Sequence, residues 1–313
     1  MTQGCPKRGI VPPVATPLTV AGDLDRAALR HLCERMIRAG VDGLFVLGTT
    51  GEAPSLGYGM RRAIIEEVCA VSGGRVPVLV GVTDTSLEEA VSLTQHARQY
   101  GAAATVVAPP YYFPISQDEL ESYVRLLVEA SPLPVYLYNF PGMTKVRFEI
   151  ETLKRLGRLP NVAGLKDSSG DMDYFRAALA AVSDFEDFAI FMGPEEQLSE
   201  ALHLGATGGV TGGANLFPEL YVGLYRAVTE GRVDEERALQ ERLMTLSRKI
   251  YGIGGYGSSF LKGLKASMWL CGLCENILAP PHLPLDAAGC ESVRERLEEM
   301  GLLTAQGEPA LHL

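Results

Sequence analysis

The sequence predicts an α/β protein, a (β/α)8 TIM barrel with a C-terminal helical extension. Short apolar runs alternate with stretches of helical period along most of the chain. Eight such runs, spaced by about 25–30 residues and each followed by a helical pattern, match the repeat of a closed parallel barrel. No G-x-G-x-x-G follows the first run, which disfavours a doubly wound open sheet.

The expected strands, in order, are Ile10–Ala15, Gly43–Leu47, Val78–Val82, Ala104–Ala108, Val135–Tyr138, Val162–Lys166, Phe188–Met192 and Gly209–Thr211. After the first, Ala28, Leu29, Leu32, Cys33, Met36 and Ile37 recur at helical spacing, and Gly40 closes the pattern. Ser86 with Glu89 and Ser116 with Glu119 read as capping boxes, in which a hydroxyl and a carboxylate satisfy free N–H groups of a first turn. The barrel is expected to occupy residues 1–231. Residues 232–313 read as added helices at Asp234–Lys249, Ser259–Cys271 and Ser292–Met300. The glycine-rich Gly252–Gly257 joins two of these helices and follows no strand, so it reads as a flexible connection rather than a phosphate cradle.

Composition narrows the function. The chain is 47% hydrophobic and 21% charged, the balance of an ordinary soluble domain. A formal net charge of −10 argues against nucleic acid as a partner. No stretch has the length or apolarity of a membrane span, and Pro12 and Pro13 break the N-terminal apolar stretch, so it is no signal peptide. Six scattered cysteines suit a reducing cytoplasm. Cys271 and Cys274 have redox-motif spacing but follow a helical run, and no second pair exists for zinc, so they read as structural.

In this fold, active sites lie at the C-terminal ends of the strands. The polar residues expected there are Thr49, Thr50 and Glu52, then Tyr111 and Tyr112, Tyr138 and Asn139, and Lys166 and Asp167. None of the five histidines falls at a strand end, which disfavours a Ser-His-Asp hydrolase, and no His or Cys spacing suggests a metal. An amine among phenols suggests Schiff-base chemistry. A lysine becomes nucleophilic when burial disfavours its ammonium form, and the iminium it makes with a ketone is an electron sink. Tyr138, on the adjacent strand, is the candidate proton shuttle. The segment "LGTTGEAPSL" leads into a helix whose first N–H groups favour a carboxylate, so the parts together suit a 2-oxo acid. Taken singly, Lys166 reads more readily as a solvated strand end, Tyr138 as a core aromatic, and "GTTGE" as a turn and cap; their shared face of the inferred barrel is what favours the chemistry.

Four segments then carry a resemblance: "GTTGE" (Gly48–Glu52), "PPYYFP" (Pro109–Pro114), "YLYNFPGMT" (Tyr136–Thr144) and "GLKDSSG" (Gly164–Gly170). In order and spacing they resemble the dihydrodipicolinate synthase / N-acetylneuraminate lyase family, from about Gly9 to Leu303 and including "LKGLKASMWLCGL" and "PPHLPL". The resemblance implies a cytoplasmic class I lyase without metal or organic cofactor, acting on pyruvate or another 2-oxo acid and an aldehyde, with no nucleic-acid or membrane partner. It implies that Lys166 forms the Schiff base, Tyr138 transfers protons, and Thr49 and Thr50 bind the carboxylate. It further implies that Tyr112 reaches into a neighbouring subunit's site, that Gly193 and Val210 line the lysine's pocket, and that the assembly is a homotetramer, a dimer of dimers.

One position departs from the synthases. Where they carry an arginine that holds the carboxylate of aspartate semialdehyde, this chain has Met143, and a thioether cannot replace a bidentate guanidinium. Losing that contact costs about 2–5 kcal/mol. Lys145 and Arg147 are the nearby cations that could compensate. "SPLPVYLYNFP" is most similar to the 2-keto-3-deoxy sugar acid aldolases, so an aldolase for such an acid, or a similar 4-hydroxy-2-oxo acid, is the leading expectation. 4-Hydroxy-tetrahydrodipicolinate synthase is the alternative. A Schiff-base dehydratase and a non-catalytic 2-oxo acid binding protein rank behind both.

Overall fold

A computed structural model describes residues 4–253 and 255–303. Eight strands build the sheet: β1 (Gly9–Ile10), β2 (Leu44–Val46), β3 (Val78–Gly81), β4 (Ala104–Val107), β5 (Val135–Asn139), β6 (Val162–Asp167), β7 (Ala189–Met192) and β8 (Gly208–Gly209). All neighbours pair in parallel, in the order β1-β8-β7-β6-β5-β4-β3-β2. The ring closes through the segment after β1, where Phe45 donates to the Pro12 carbonyl at 2.9 Å and Val14 donates to the Phe45 carbonyl at 2.8 Å. The architecture is a (β/α)8 barrel.

The first strand is much shorter than the expected Ile10–Ala15. Pro12 and Pro13 have no N–H, so regular pairing stops after Ile10 and the chain reaches β2 only through a single bridge at Pro13. The eighth strand is Gly208–Gly209 rather than Gly209–Thr211, because two glycines let it lie against β1. A Cβ on Gly208 would sit 1.9 Å from the Gly9 carbonyl oxygen.

A helix follows each strand and covers the outside of the ring. The predicted helix before Gly40 spans Arg26–Ala39, capped by Asp25 and ended by Gly40 at φ 87°. Ser116 and Glu119 form a full capping box. Ser86 and Glu89 do not. Ser86 accepts from the Glu89 amide, but its own N–H donates to Asp84 at 2.9 Å, and the Glu89 carboxylate turns toward Arg62 instead.

The C-terminal region supplies helices Val233–Leu246, continued by a π-helical turn Ser247–Tyr251, then Ser259–Leu270 and Ala287–Glu299. The last begins well before the expected Ser292 because Asp286 caps it, accepting from the Gly289 amide at 2.8 Å. Residues 304–313 of that predicted region, and Gly254 of the glycine-rich connection, lie outside the described residues. Cys271 and Cys274 are buried free thiols, and burial pushes both up to about 11. No helix among the described residues is long and apolar enough to cross a membrane.

Two apolar clusters divide the molecule. The larger lies between the ring and its helices and includes Leu243, Leu246, Ile250 and Leu264 of the C-terminal helices. The smaller fills the ring itself, with Val11, Phe45, Leu79, Val106, Tyr136, Tyr138, Phe191 and Val210. Lys166 brings an amine to that otherwise apolar interior.

Candidate active site

Strand parity decides which side chains enter the ring. On β5, Tyr136 and Tyr138 point inward while Val135 and Leu137 pack outside. Tyr138 pairs with Lys166 and Tyr136 with Gly164, yet Val135 pairs with Val162, so β6 carries one extra residue at Ala163. Without that bulge, Leu165 would stand opposite Tyr138. Gly164 is required beside it, because a Cβ there would lie 2.3 Å from the Ala189 carbonyl oxygen and 2.8 Å from the Tyr136 ring.

The bulge therefore delivers Lys166 into the ring. The residue is only 6% exposed, and its Nζ lies 4.2 Å from the Tyr138 ring centroid and 5.2 Å from that of Phe45. Both distances are in the range where an aromatic face attracts a cation. Phe45 meets Tyr138 edge-on at 6.4 Å. Below the amine lies a small space lined by Leu79, Val106, Tyr136, Phe191 and Val210, among others.

The Tyr138 hydroxyl lies 3.2 Å from the Thr49 hydroxyl. Thr49 and Thr50 follow β2 in a tight turn entered at Leu47 (φ 59°) and left at Glu52 (φ 57°), both left-handed. The expected helix terminus is not there. The amides of Glu52, Ala53 and Ser55 donate to the carbonyls of Thr49, Gly48 and Glu52, and the following helix is one 3-10 turn, Ala53–Ser55. The long helix begins only at Tyr58. Backbone self-pairing in the turn uses those three amides, whereas the amides of Thr49, Thr50 and Gly51 donate to no backbone carbonyl among the described residues.

Gly193 follows β7 and packs against the end of β6, and Val210 follows β8. The Gly193 amide donates to the Asp167 carbonyl at 2.7 Å, and a Cβ on Gly193 would fall 2.0 Å from the Ser168 hydroxyl oxygen. Val210 donates to the Met192 carbonyl and shares the space lined by Lys166. Asp167 points out of the ring, where Asn139 and Ser169 donate to its carboxylate at 2.7 and 2.9 Å. Burial raises its pKa, and those donors oppose the rise.

Four residues singled out in the sequence stand apart from this group. Tyr112 is 70% exposed, its ring edge-on to Phe113 at 5.0 Å. Met143 is 48% exposed on the short helix Pro141–Thr144. Arg147 faces Asp171 at 3.8 Å and the Tyr174 ring at 5.8 Å, and Lys145 is exposed, so neither is held in the group around Lys166.

Sequence reasoning passed over Phe45, whose only signal was its place in an apolar run. It also passed over Glu195, in "FMGPEE". That carboxylate is buried and accepts from the Tyr221 and Tyr251 hydroxyls at 2.5 and 2.6 Å and from the Gly213 amide at 2.8 Å. Burial pushes it up to about 7. Among the described residues, no group of three or more His, Cys, Asp or Glu side chains could hold a metal ion.

Residues 6–300 match the model of the dihydrodipicolinate synthetase family. The chain belongs to that family. It is a lyase of the aldolase type. An Escherichia coli K12 protein named "Probable 2-dehydro-3-deoxy-D-pentonate aldolase YjhH" is 37% identical over 298 residues, covering 94% of this chain and 98% of that protein. The structure of dihydrodipicolinate synthase from Bacteroides thetaiotaomicron is 44% identical, with a TM-score of 0.90, covering 95% of this chain and all of that one. The crystal structure of E. coli YagE, a prophage protein of the same family in complex with pyruvate, is 32% identical with a TM-score of 0.89, covering 94% and 99%. Aldolase and synthase thus both stand among the relatives of this lyase.

Proposed function

We propose that this lyase uses Lys166 as a Schiff-base nucleophile on pyruvate-type 2-oxo acids and that it cleaves or forms a 2-keto-3-deoxy sugar acid or a similar 4-hydroxy-2-oxo acid. The observation that carries the reading is the buried Lys166 amine against the Tyr138 ring, with the Tyr138 hydroxyl 3.2 Å from that of Thr49. The amine adds to C2 of the oxo acid, and loss of water leaves an iminium. In cleavage, the C4 hydroxyl loses its proton toward Tyr138 and the C3–C4 bond breaks. Its electron pair moves to the iminium nitrogen as the enamine forms, and the aldehyde departs. Protonation at C3 and hydrolysis then release pyruvate and restore the amine. Tyr138 and Thr49 move the protons, and Thr49 and Thr50 hold the substrate carboxylate.

Tyr112 fits the role implied by the resemblance, because its exposed ring is free to enter a neighbouring subunit's site in a tetramer. The exposed Met143 favours the aldolase over the synthase, since no guanidinium stands at that position. The 44% identity to a synthase structure supports the second reading, 4-hydroxy-tetrahydrodipicolinate synthase.

Intact-mass spectrometry after pyruvate and borohydride tests the nucleophile. A reduced adduct on the wild type and none on Lys166→Arg supports it; absence from both overturns it. Turnover with pyruvate plus glyceraldehyde, set against pyruvate plus aspartate semialdehyde, tests the substrate. Turnover confined to aspartate semialdehyde sinks the aldolase. On the aldolase reading, Met143→Arg raises kcat/KM for aspartate semialdehyde by about tenfold or more, because one charge-assisted contact is worth that much.

A further inference from the structure

The C-terminal helix Ser259–Leu270 sends one charged side chain into the barrel's catalytic end. Lys265 is 3% exposed. Its Nζ donates to the Thr16 carbonyl at 2.6 Å and lies 3.0 Å from a Glu52 carboxylate oxygen. The other Glu52 oxygen accepts from the Ala279 amide at 2.7 Å. Thr16 in turn donates through its hydroxyl to the Gly51 carbonyl at 2.7 Å. Glu52 is thus held by two separate parts of the C-terminal region, and Lys265 links the loops after β1 and β2.

Two features say that this arrangement is more than packing. Glu52 occupies the left-handed region at φ 57°, where glycine is the unstrained residue, so its side chain is retained against a backbone cost. Its N–H also donates to the Thr49 carbonyl at 3.0 Å, closing the turn that carries Thr49. A chain of contacts then runs from Lys265 to Glu52, to Thr49 and to the Tyr138 hydroxyl, and the ring of Tyr138 faces the Lys166 amine.

We propose that Glu52 and Lys265 are positioning residues for proton transfer. They hold the Thr49 hydroxyl against Tyr138, so that the C-terminal helix sets the rate of proton movement at C3 of the bound oxo acid without touching it. The assignment rests on the Schiff-base reading above. It separates two steps: iminium formation, which needs the Lys166 amine, and proton exchange, which also needs the Thr49–Tyr138 pair.

The test uses the full chain with pyruvate in D2O. The readouts are borohydride trapping at saturating pyruvate and the rate at which the pyruvate methyl group takes up deuterium, followed by proton NMR. The first variant is the double Glu52→Gly/Lys265→Met. Glycine suits the left-handed backbone, and methionine leaves no buried charge without its partner, so both substitutions favour a folded protein. The expected result is trapping at the wild-type level with methyl exchange slowed by about tenfold to a hundredfold, the range that a displacement near 1 Å produces. The pyruvate KM rises as the Thr49 and Thr50 hydroxyls lose their fixed place. The single variant Lys265→Met is measured alongside and should show the same split.

Exchange at the wild-type rate in either folded variant overturns the assignment. So does a fall in trapping that matches the fall in exchange, because the pair would then act on the whole site. A wild type that forms no adduct overturns the Schiff-base reading itself, a distinct outcome that takes this assignment with it.

Discussion

Glu52 and Glu195 are both buried at the end of the barrel where Lys166 emerges, and the C-terminal region touches both, yet they are held in opposite ways. Glu52 faces an ammonium and an amide, Lys265 and Ala279. Glu195 has neutral donors, Tyr221, Tyr251 and Gly213. Hydrogen bonds from phenols and an amide favour the carboxylate, but here they do not outweigh desolvation, and Glu195 is pushed up to about 7. A charge partner turns a buried acid into a fixed tie between segments. Neutral donors leave one that changes its protonation near neutral pH.

The largest expected effect breaks the fixed tie. Lys265→Met strands the Glu52 carboxylate in the interior and should cost about 3–5 kcal/mol of unfolding free energy. Urea denaturation checks it, and the double variant Glu52→Gln/Lys265→Met should recover most of the loss. A single variant as stable as wild type would show that the pair is no tie at all.

Next comes the titrating acid. Its folded value of about 7 lies above the ordinary 4.5, so between those values the folded protein holds a proton that the unfolded chain has released. The stability contributed by this group is therefore greatest below about pH 4.5 and falls as pH rises to about 7. It is constant above, a total change of roughly 3 kcal/mol. Glu195→Gln should remove that slope. Stability curves at pH 5, 6 and 7 for the two proteins make the comparison, and parallel curves would mean that Glu195 does not titrate there.

A smaller effect sharpens the contrast. Tyr251→Phe removes one neutral donor, raises the Glu195 pKa further, and costs about 1.5 kcal/mol at pH 8, where the acid is ionised. The cost should shrink at pH 5, where the acid is protonated. A cost independent of pH would assign Tyr251 to packing alone.

Much of the barrel was legible because its signals are local. Helix periods, the Gly40 terminator and the Ser116–Glu119 box depend on residues a few positions apart, and all three are found as read. The Ser86 box failed for a local reason too: Asp84, two residues upstream, competes for the same N–H. The "LGTTGEAPSL" segment leads into helix as its pattern suggests, but only through a 3-10 turn at Ala53–Ser55, because the Glu52 and Ala53 amides close a turn with left-handed backbone at Leu47 and Glu52.

The sequence by itself determined the strand and helix alternation, the family segments, and the candidacy of Lys166, Tyr138, Thr49 and Thr50, since type and order along the chain suffice for those. Which way Lys166 faces was decided only in three dimensions. A buried parallel strand is apolar on both sides, so "VAGLK" carries no alternation to read, and the extra residue at Ala163 sets the parity that points the lysine inward. Lys265 meeting Glu52 across more than two hundred residues was likewise beyond the linear pattern. A buried charge finds its partner by the packing of whole elements, and spacing along the chain does not record that.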